Sequence, residues 1–258
     1  MAFSPLVTIA PQTQKTAGTS YSPSYGTNAS NTYSIGQLVV AAFAFDNLTG
    51  TDGDNSEITS IVDTAHASNT WQKAVEFTNG QGAAAGGATI SIWYCVLSEA
   101  ISLGQGFVVT FNGTVTAKVV SIRAFSIGAG NTVAVQGTTT LANDAADAGS
   151  MTLSSLPSRE YLFVRAVAIE NNTSTPGTPE TSWTDLATNT VAGTTGGSAV
   201  SNMWIYAEYR IQTTTSVTSD PTTGAADCAS VLVAFYETTA AAAPDVIDPF
   251  GMRGFFGI

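Results

Sequence analysis

The chain of 258 residues is predicted to be all-β, a duplicated antiparallel β-sandwich with an extended C-terminal arm, and three observations lead there. Clean period-2 alternation is the first. Ile90, Ile92, Tyr94 and Val96 fall on one side of a strand, with Ser91, Trp93 and Cys95 on the other. Composition is the second: charged residues are only 10%, and Thr, Ser, Ala, Gly and Asn fill the deficit. Thr suits strands, while Gly, Asn and Ser suit turns. The third is an internal repeat. Trp71, Trp93 and Phe125 reappear as Trp183, Trp204 and Phe235 at offsets of 112, 111 and 110 residues, and so steady an offset over three separated anchors reads as a duplication.

Four segments follow. Residues 1–35 hold a weakly alternating strand (Val7, Ile9) and a loop rich in Ser, Thr, Asn and Gly. Residues 36–130 form the first sandwich repeat. Its opening strand, Leu38 to Phe45, is apolar on both faces and ends in a turn at Asp46-Asn47. The second repeat, 131–237, opens in the same way from Tyr161 to Ile169 and turns at Glu170-Asn171. About six short strands per repeat are expected, with the alternating ones half-buried. The glycine-rich stretches 80–87 and 193–197 precede no helix and read as hairpin loops. Residues 238–258 form a small-residue linker and an apolar arm. Val246, Ile247, Phe250, Met252, Phe255, Phe256 and Ile258 crowd into it, with Pro249, Gly251, Gly254 and Gly257 opposing a helix. An apolar arm of this kind points to a partner; folding back onto its own sandwich is the alternative.

Charge and motifs narrow the function. A net charge of −11 with only 8 basic residues leaves no phosphate-tracking groove, so nucleic acid is not an expected partner. No apolar run approaches the roughly 20 residues of a membrane span. Met1 to Pro5 lacks a basic n-region and an apolar h-region, so no secretory signal is expected. Cys95 and Cys228, each within an apolar strand, read as buried thiols. With one histidine, His66, in a small-residue loop, a multi-histidine metal or catalytic arrangement is excluded. Asp63, Glu76, Glu170 and Glu208 offer carboxylates without a spacing that selects any two, so no enzyme and no cofactor are expected. The stretch Asp52 to Glu57 has the carboxylate density of a Ca²⁺ loop but not its spacing. A solvated hairpin loop is expected there, with a cation at Asp52, Asp54 and Glu57 as the alternative. Trp93, Trp204 and Tyr206 form a candidate aromatic face that could pack the repeats, anchor a protein partner or stack a glycan.

The order of these pieces resembles a tandem β-sandwich module, jelly-roll-like, of bacteriophage virion proteins and some bacterial surface proteins. The resemblance runs over roughly residues 36–237. It rests on the apolar strand Leu38 to Phe45, the Val-Asp…Asn-x-Trp stretch from Val62 to Trp71 (two residues longer between Asp63 and Asn69 than the usual Val-x-Asp…Asn-x-Trp form, and with no residue between Val62 and Asp63), Ile92-Trp93-Tyr94, and the closing strand Val119 to Phe125. Thr181-Ser182-Trp183 in the second half lacks the Asp and Asn. The resemblance implies a non-enzymatic virion structural protein, made in the bacterial host cytoplasm. It would be a head-decoration (cement) or tail-associated component present in multiple copies or as a homo-oligomer, docking on capsid or tail proteins through its C-terminal arm. A glycan-binding adhesin or receptor-binding module using the aromatic face is the competing expectation.

Overall fold

Residues 3–26, 32–170, 180–188, 191–198 and 201–239 are described in the computed structural model of the chain. Among them are fifteen β-strands and no α-helix. The first seven are β1 (Ser4–Thr8), β2 (Gln12–Tyr21), β3 (Leu38–Asp46), β4 (Ile58–Asp63), β5 (Gln72–Asn79), β6 (Ala88–Val96) and β7 (Phe107–Ser126), and they make one sheet. Residues beyond 130 supply β8 (Asn131–Ala146), β9 (Met151–Leu153), β10 (Arg159–Glu170), β11 (Thr184–Asp185), β12 (Val191–Gly193), β13 (Met203–Thr214), β14 (Val217–Ser219) and β15 (Ala226–Thr239). Of these, β9 and β14 pair as a small ribbon and the other six form the second large sheet. All pairings are antiparallel.

Strand order matches between the large sheets. Central β3 lies between β6 and β7, and central β10 lies between β13 and β15. Register matches as well: Leu38 faces Phe125 across β3–β7, and Leu162 faces Phe235 across β10–β15. The main core lies between the sheets. From the first it takes Leu38, Val40, Ala42, Ala44, Ile90 and Ile92; from the second, Leu162, Val164, Ala166, Ile205, Val231 and Val233. Two aromatic contacts bridge it reciprocally. The Phe125 ring packs 5.2 Å from that of Tyr209, and Phe235 packs 5.2 Å from Tyr94. The sandwich interface therefore lies between the two halves of the chain, each half giving one sheet.

Each sheet is also covered on its outer face, and this changes the expected burial. Strand β6 is buried on both faces rather than half-buried. Outside the first sheet, Trp93, Cys95, Phe43 and Phe45 pack under Tyr21, Tyr25, Tyr33 and Ile61. Strand β7 makes this cover because it is long enough, at 20 residues, to serve two layers. Residues Phe107, Val109, Phe111 and Val115 face the outer core, whereas Ala117, Val119 and Phe125, on the same side by alternation, face the intersheet core. The facing changes where the β2 register shifts between Lys15 and Gly18, and an irregularity of this kind lets a strand bend. Outside the second sheet, Tyr161, Phe163 and Leu232 pack under Met151, Leu153, Leu156, Trp183 and Val217.

Polar ties hold the halves in register. The guanidinium of Arg123 lies 4.8 Å over the Tyr209 ring and donates to Asp185 O and Leu6 O. Asn79 Nδ2 donates to Asn143 O, Asp144 Oδ1 and Cys228 O, joining β5 to β8 and β15. The last strand pairs with β8 as far as Thr239, opposite Asn131.

Candidate functional site

The Asp–Asn–Trp motif of the first half assembles into one buried brace. Asp63 ends β4 and is 4% exposed; its Oδ1 accepts the Ala65 and His66 N–H groups, closing a turn. Its Oδ2 accepts the Tyr25 hydroxyl at 2.7 Å and Asn69 Nδ2 at 3.1 Å. Asn69 then holds the next loop: Oδ1 accepts Ser98 N and Glu99 N, both at 2.9 Å, and Nδ2 also donates to Glu99 O. Trp71 lies within 5.0 Å of Phe107 and stacks near Tyr25, so the motif pins the outer cover to the sheet. Every oxygen of the Asp63 carboxyl is thus committed to the chain's own donors.

The acidic loop does not gather its carboxylates. Asp52 accepts Gly80 N–H, and Asp54 pairs with Lys73 at 2.7 Å. Glu57 is turned inward, 2% exposed, where it accepts Leu48 N–H and the Thr89 hydroxyl. Burial pushes the Glu57 carboxyl up to about 7, against the pull of these two donors, and neighbouring Glu76 adds repulsion. Glu76 in turn accepts the N–H groups of Glu57 and Ile58. The three carboxylates have separate partners, and no group of three or more His, Cys, Asp or Glu able to hold a metal occurs among the described residues. A shallow groove of about 370 Å³ runs past Glu57, between Leu48, Asn55 and Asn112.

No aromatic face forms. Trp93 is 8% exposed in the outer core of the first sheet, and its Nε1–H donates to Ser91 Oγ. Tyr206 is fully buried in an outer core of the second sheet, next to half-buried Trp204. The tryptophans therefore lie on opposite sides of the sandwich, each under its own cover. Trp204 lies against Gly193, where a Cβ would fall 2.0 Å from its ring, so glycine is required by close approach. Cys95 and Cys228 are likewise separated, one in each outer core, and are buried thiols with no disulfide between them. His66 is a loop residue, Nδ1 2.8 Å from Glu99 and Nε2 near Gln105 Nε2. The arm residues Val246, Ile247, Phe250, Met252, Phe255, Phe256 and Ile258 lie outside the described residues.

The densest chemistry is a cluster under the cover of the second sheet, of which sequence inspection names Glu208 and Tyr206 but not Arg165 or their grouping. Arg165 sits in the middle of β10, fully buried, directly opposite Glu208 of β13, also fully buried. Arg165 Nη2 donates to Gly149 O at 3.0 Å, while Nε and Nη1 have no hydrogen-bond partner. Glu208 accepts the Tyr206 hydroxyl at 2.8 Å and the Ser219 hydroxyl at 3.1 Å. Glu180 also takes the Ser219 hydroxyl. Burial lowers Arg165 to about 10, with Glu208 opposing, and raises Glu208 to about 7, with Tyr206 opposing and Glu180 reinforcing. Arginine keeps its charge at such a value, so β10 carries a buried cation with the Glu208 carboxyl opposite it on β13. Its alternation (Phe163, Arg165, Val167) was the available signal: a charge in the outer stripe of a strand that is otherwise apolar on both faces. No protein-family model, curated protein or solved structure matches the chain.

Proposed function

We propose that this chain is a non-enzymatic structural protein of a phage virion, a decoration (cement) or tail-associated component present in many copies. In this reading the two halves descend from one duplicated, jelly-roll-like segment, and the apolar sequence after Thr239 docks on neighbouring virion proteins. One observation supports it most: Asp63, Asn69, Glu76 and Asp52, polar groups of the first half that sequence brings to notice, are spent on bracing the two-sheet body. Asp63 and Asn69 tie a turn to Tyr25 and to the loop at Ser98 and Glu99. Glu76 and Asp52 hold backbone N–H groups. A rigid body of this kind suits a part that carries load. Matched strand order and the reciprocal Phe125–Tyr209 and Phe235–Tyr94 contacts support the duplication. Docking through apolar side chains gains about 25 cal/mol per Å² removed from water.

The test compares the full chain with a form ending at Thr239, the last residue of β15. Sedimentation velocity over a range of concentrations should show multi-copy species only for the full chain. Circular dichroism and thermal unfolding should be alike for both. Two identical compact monomers would remove the arm's role, and an unfolded truncation would show instead that the arm completes the core.

A further inference from the structure

The inward stripes of the two central strands end in the same way. On β3 the residues Leu38, Val40, Ala42 and Ala44 line the intersheet core and the next inward position is Asp46; on β10, Leu162, Val164, Ala166 and Ala168 are followed by Glu170. Each acid lies eight residues beyond the leucine that faces Phe125 or Phe235, so the two occupy matched positions on facing sheets. Both are buried, at 6% and 8% exposure. Asp46 Oδ2 accepts Ala117 N–H at 2.8 Å, but Asp46 Oδ1 and Glu170 Oε1 have no hydrogen-bond partner.

Among the described residues the groups that act on Glu170 are acids rather than a cation. Its partner on β13 is Met203 and on β15 is Asp227, a like charge. From β5, Asn79 turns its amide to Asp144 Oδ1, Asn143 O and Cys228 O. Lys118 of β7 donates to Thr16 O, and Lys15 of β2 donates to Gly196 O, Ser201 Oγ and Asn202 Oδ1. Those two lysines attract Asp46; the charges felt by Glu170 are Asp46 and Asp227.

We propose that Glu170 is a proton-operated latch at this end of the intersheet core, closed while its carboxyl is protonated and loosened when the proton leaves to solvent. Two neighbouring buried carboxyls do not both ionise readily, because each charge is desolvated and repels the other. Asp46 ionises first, having the Ala117 N–H bond and two lysines in its favour. Burial, then Asp46 and Asp227, push Glu170 up to about 8. At pH 7 the native chain then holds the proton about tenfold more often than not. The unfolded chain, with an ordinary glutamate, has released it. Native protein thus binds the extra proton between the ordinary value and about 8, and stability falls as pH rises through that window.

Thermal unfolding of the full chain from pH 5 to 9 tests this with Glu170→Gln, which keeps the shape and carries no charge. Glu57 and Glu208 contribute a similar fall centred on about 7 that continues above it, so the difference between parent and E170Q, rather than the parent's own slope, reports Glu170. From pH 7 to 9 the parent should lose more of its unfolding midpoint than E170Q does, and E170Q should melt above the parent at pH 9. A parental pH profile in E170Q overturns the proposal. Should E170Q fail to fold, carbon-detected NMR titration of the parent decides: a Glu170 carboxyl already ionised at pH 6 overturns it, and one that titrates near 8 supports it. Asp46→Asn offers a further check, moving that titration to lower pH by removing the repelling charge.

Discussion

Replacing Asn69 by Ala tests whether the Asp–Asn–Trp motif is a brace. The side chain makes bonds to two elements at once: Nδ2 to Asp63 Oδ2 and Glu99 O, and Oδ1 from Ser98 N and Glu99 N. Their loss is unequal. Ser98 and Glu99 are exposed, so water can take over much of their bonding. Asp63 is buried and keeps the Tyr25 hydroxyl, but loses a donor to a charged group, which costs roughly 1.5–3 kcal/mol. Adding a few tenths for each wetted N–H puts the total at about 3 kcal/mol, a large share of the roughly 5–15 kcal/mol by which domains are stable. Urea unfolding followed by tryptophan fluorescence should show a lower midpoint at an unchanged slope. N69D, which restores an acceptor for both N–H groups but sets a carboxylate against Asp63, should not recover stability at neutral pH. If N69A unfolds within about 0.5 kcal/mol of the parent, the usual range for a surface change, the brace is not structural and the motif must serve something else.

Two further perturbations address the second sheet. Arg165→Met leaves Glu208 without the cation across the strand, and Glu208→Gln leaves Arg165 similarly exposed to its own desolvation. A double-mutant cycle by urea unfolding should give a favourable coupling of about 1–2 kcal/mol, and strictly additive losses would show that the two charges do not sense one another. Gly193→Ala should place a methyl 2.0 Å from the Trp204 ring and force the indole outward. Overpacking of this kind costs about 1–3 kcal/mol, so a lower melting point with red-shifted emission is expected, and unchanged spectra would show that Trp204 is not seated there.

The all-β fold class was legible because it rests on local periodicity, while choosing between packing and an open face for the aromatic residues needed to know what covers a face. The alternation around Trp93 separates two sides of β6 correctly: Ile90, Ile92 and Tyr94 enter the intersheet core, and Trp93 and Cys95 take the other side. A period of two says nothing of what lies over each side. The covering residues come from far along the chain, Tyr21, Tyr25 and Tyr33 above Trp93, and Ala148 and Ala226 around Tyr206. Trp93 and Tyr206 are therefore core and Trp204 packs half-buried against it, although the same alternation on an uncovered sheet would have made a platform.

The acidic residues show the same limit from the electrostatic side. Asp52, Asp54 and Glu57 are close in sequence yet serve Gly80, Lys73 and the Leu48–Thr89 pair, because a turning chain points successive carboxylates in different directions. Asp46 and Glu170 are 124 residues apart, and Asp46 pushes the Glu170 carboxyl up because matched strands from two halves face one another. The turns Asp46-Asn47 and Glu170-Asn171 were visible as a repeated feature, and their proximity follows only from the sheets packing on their equivalent faces. Had each half closed a sandwich on itself, the two acids would have remained apart, each at the end of its own core. The charge conflict between them is a consequence of building one sandwich from two like halves, which is why Glu170→Gln reports on how the halves are assembled as well as on a single carboxyl.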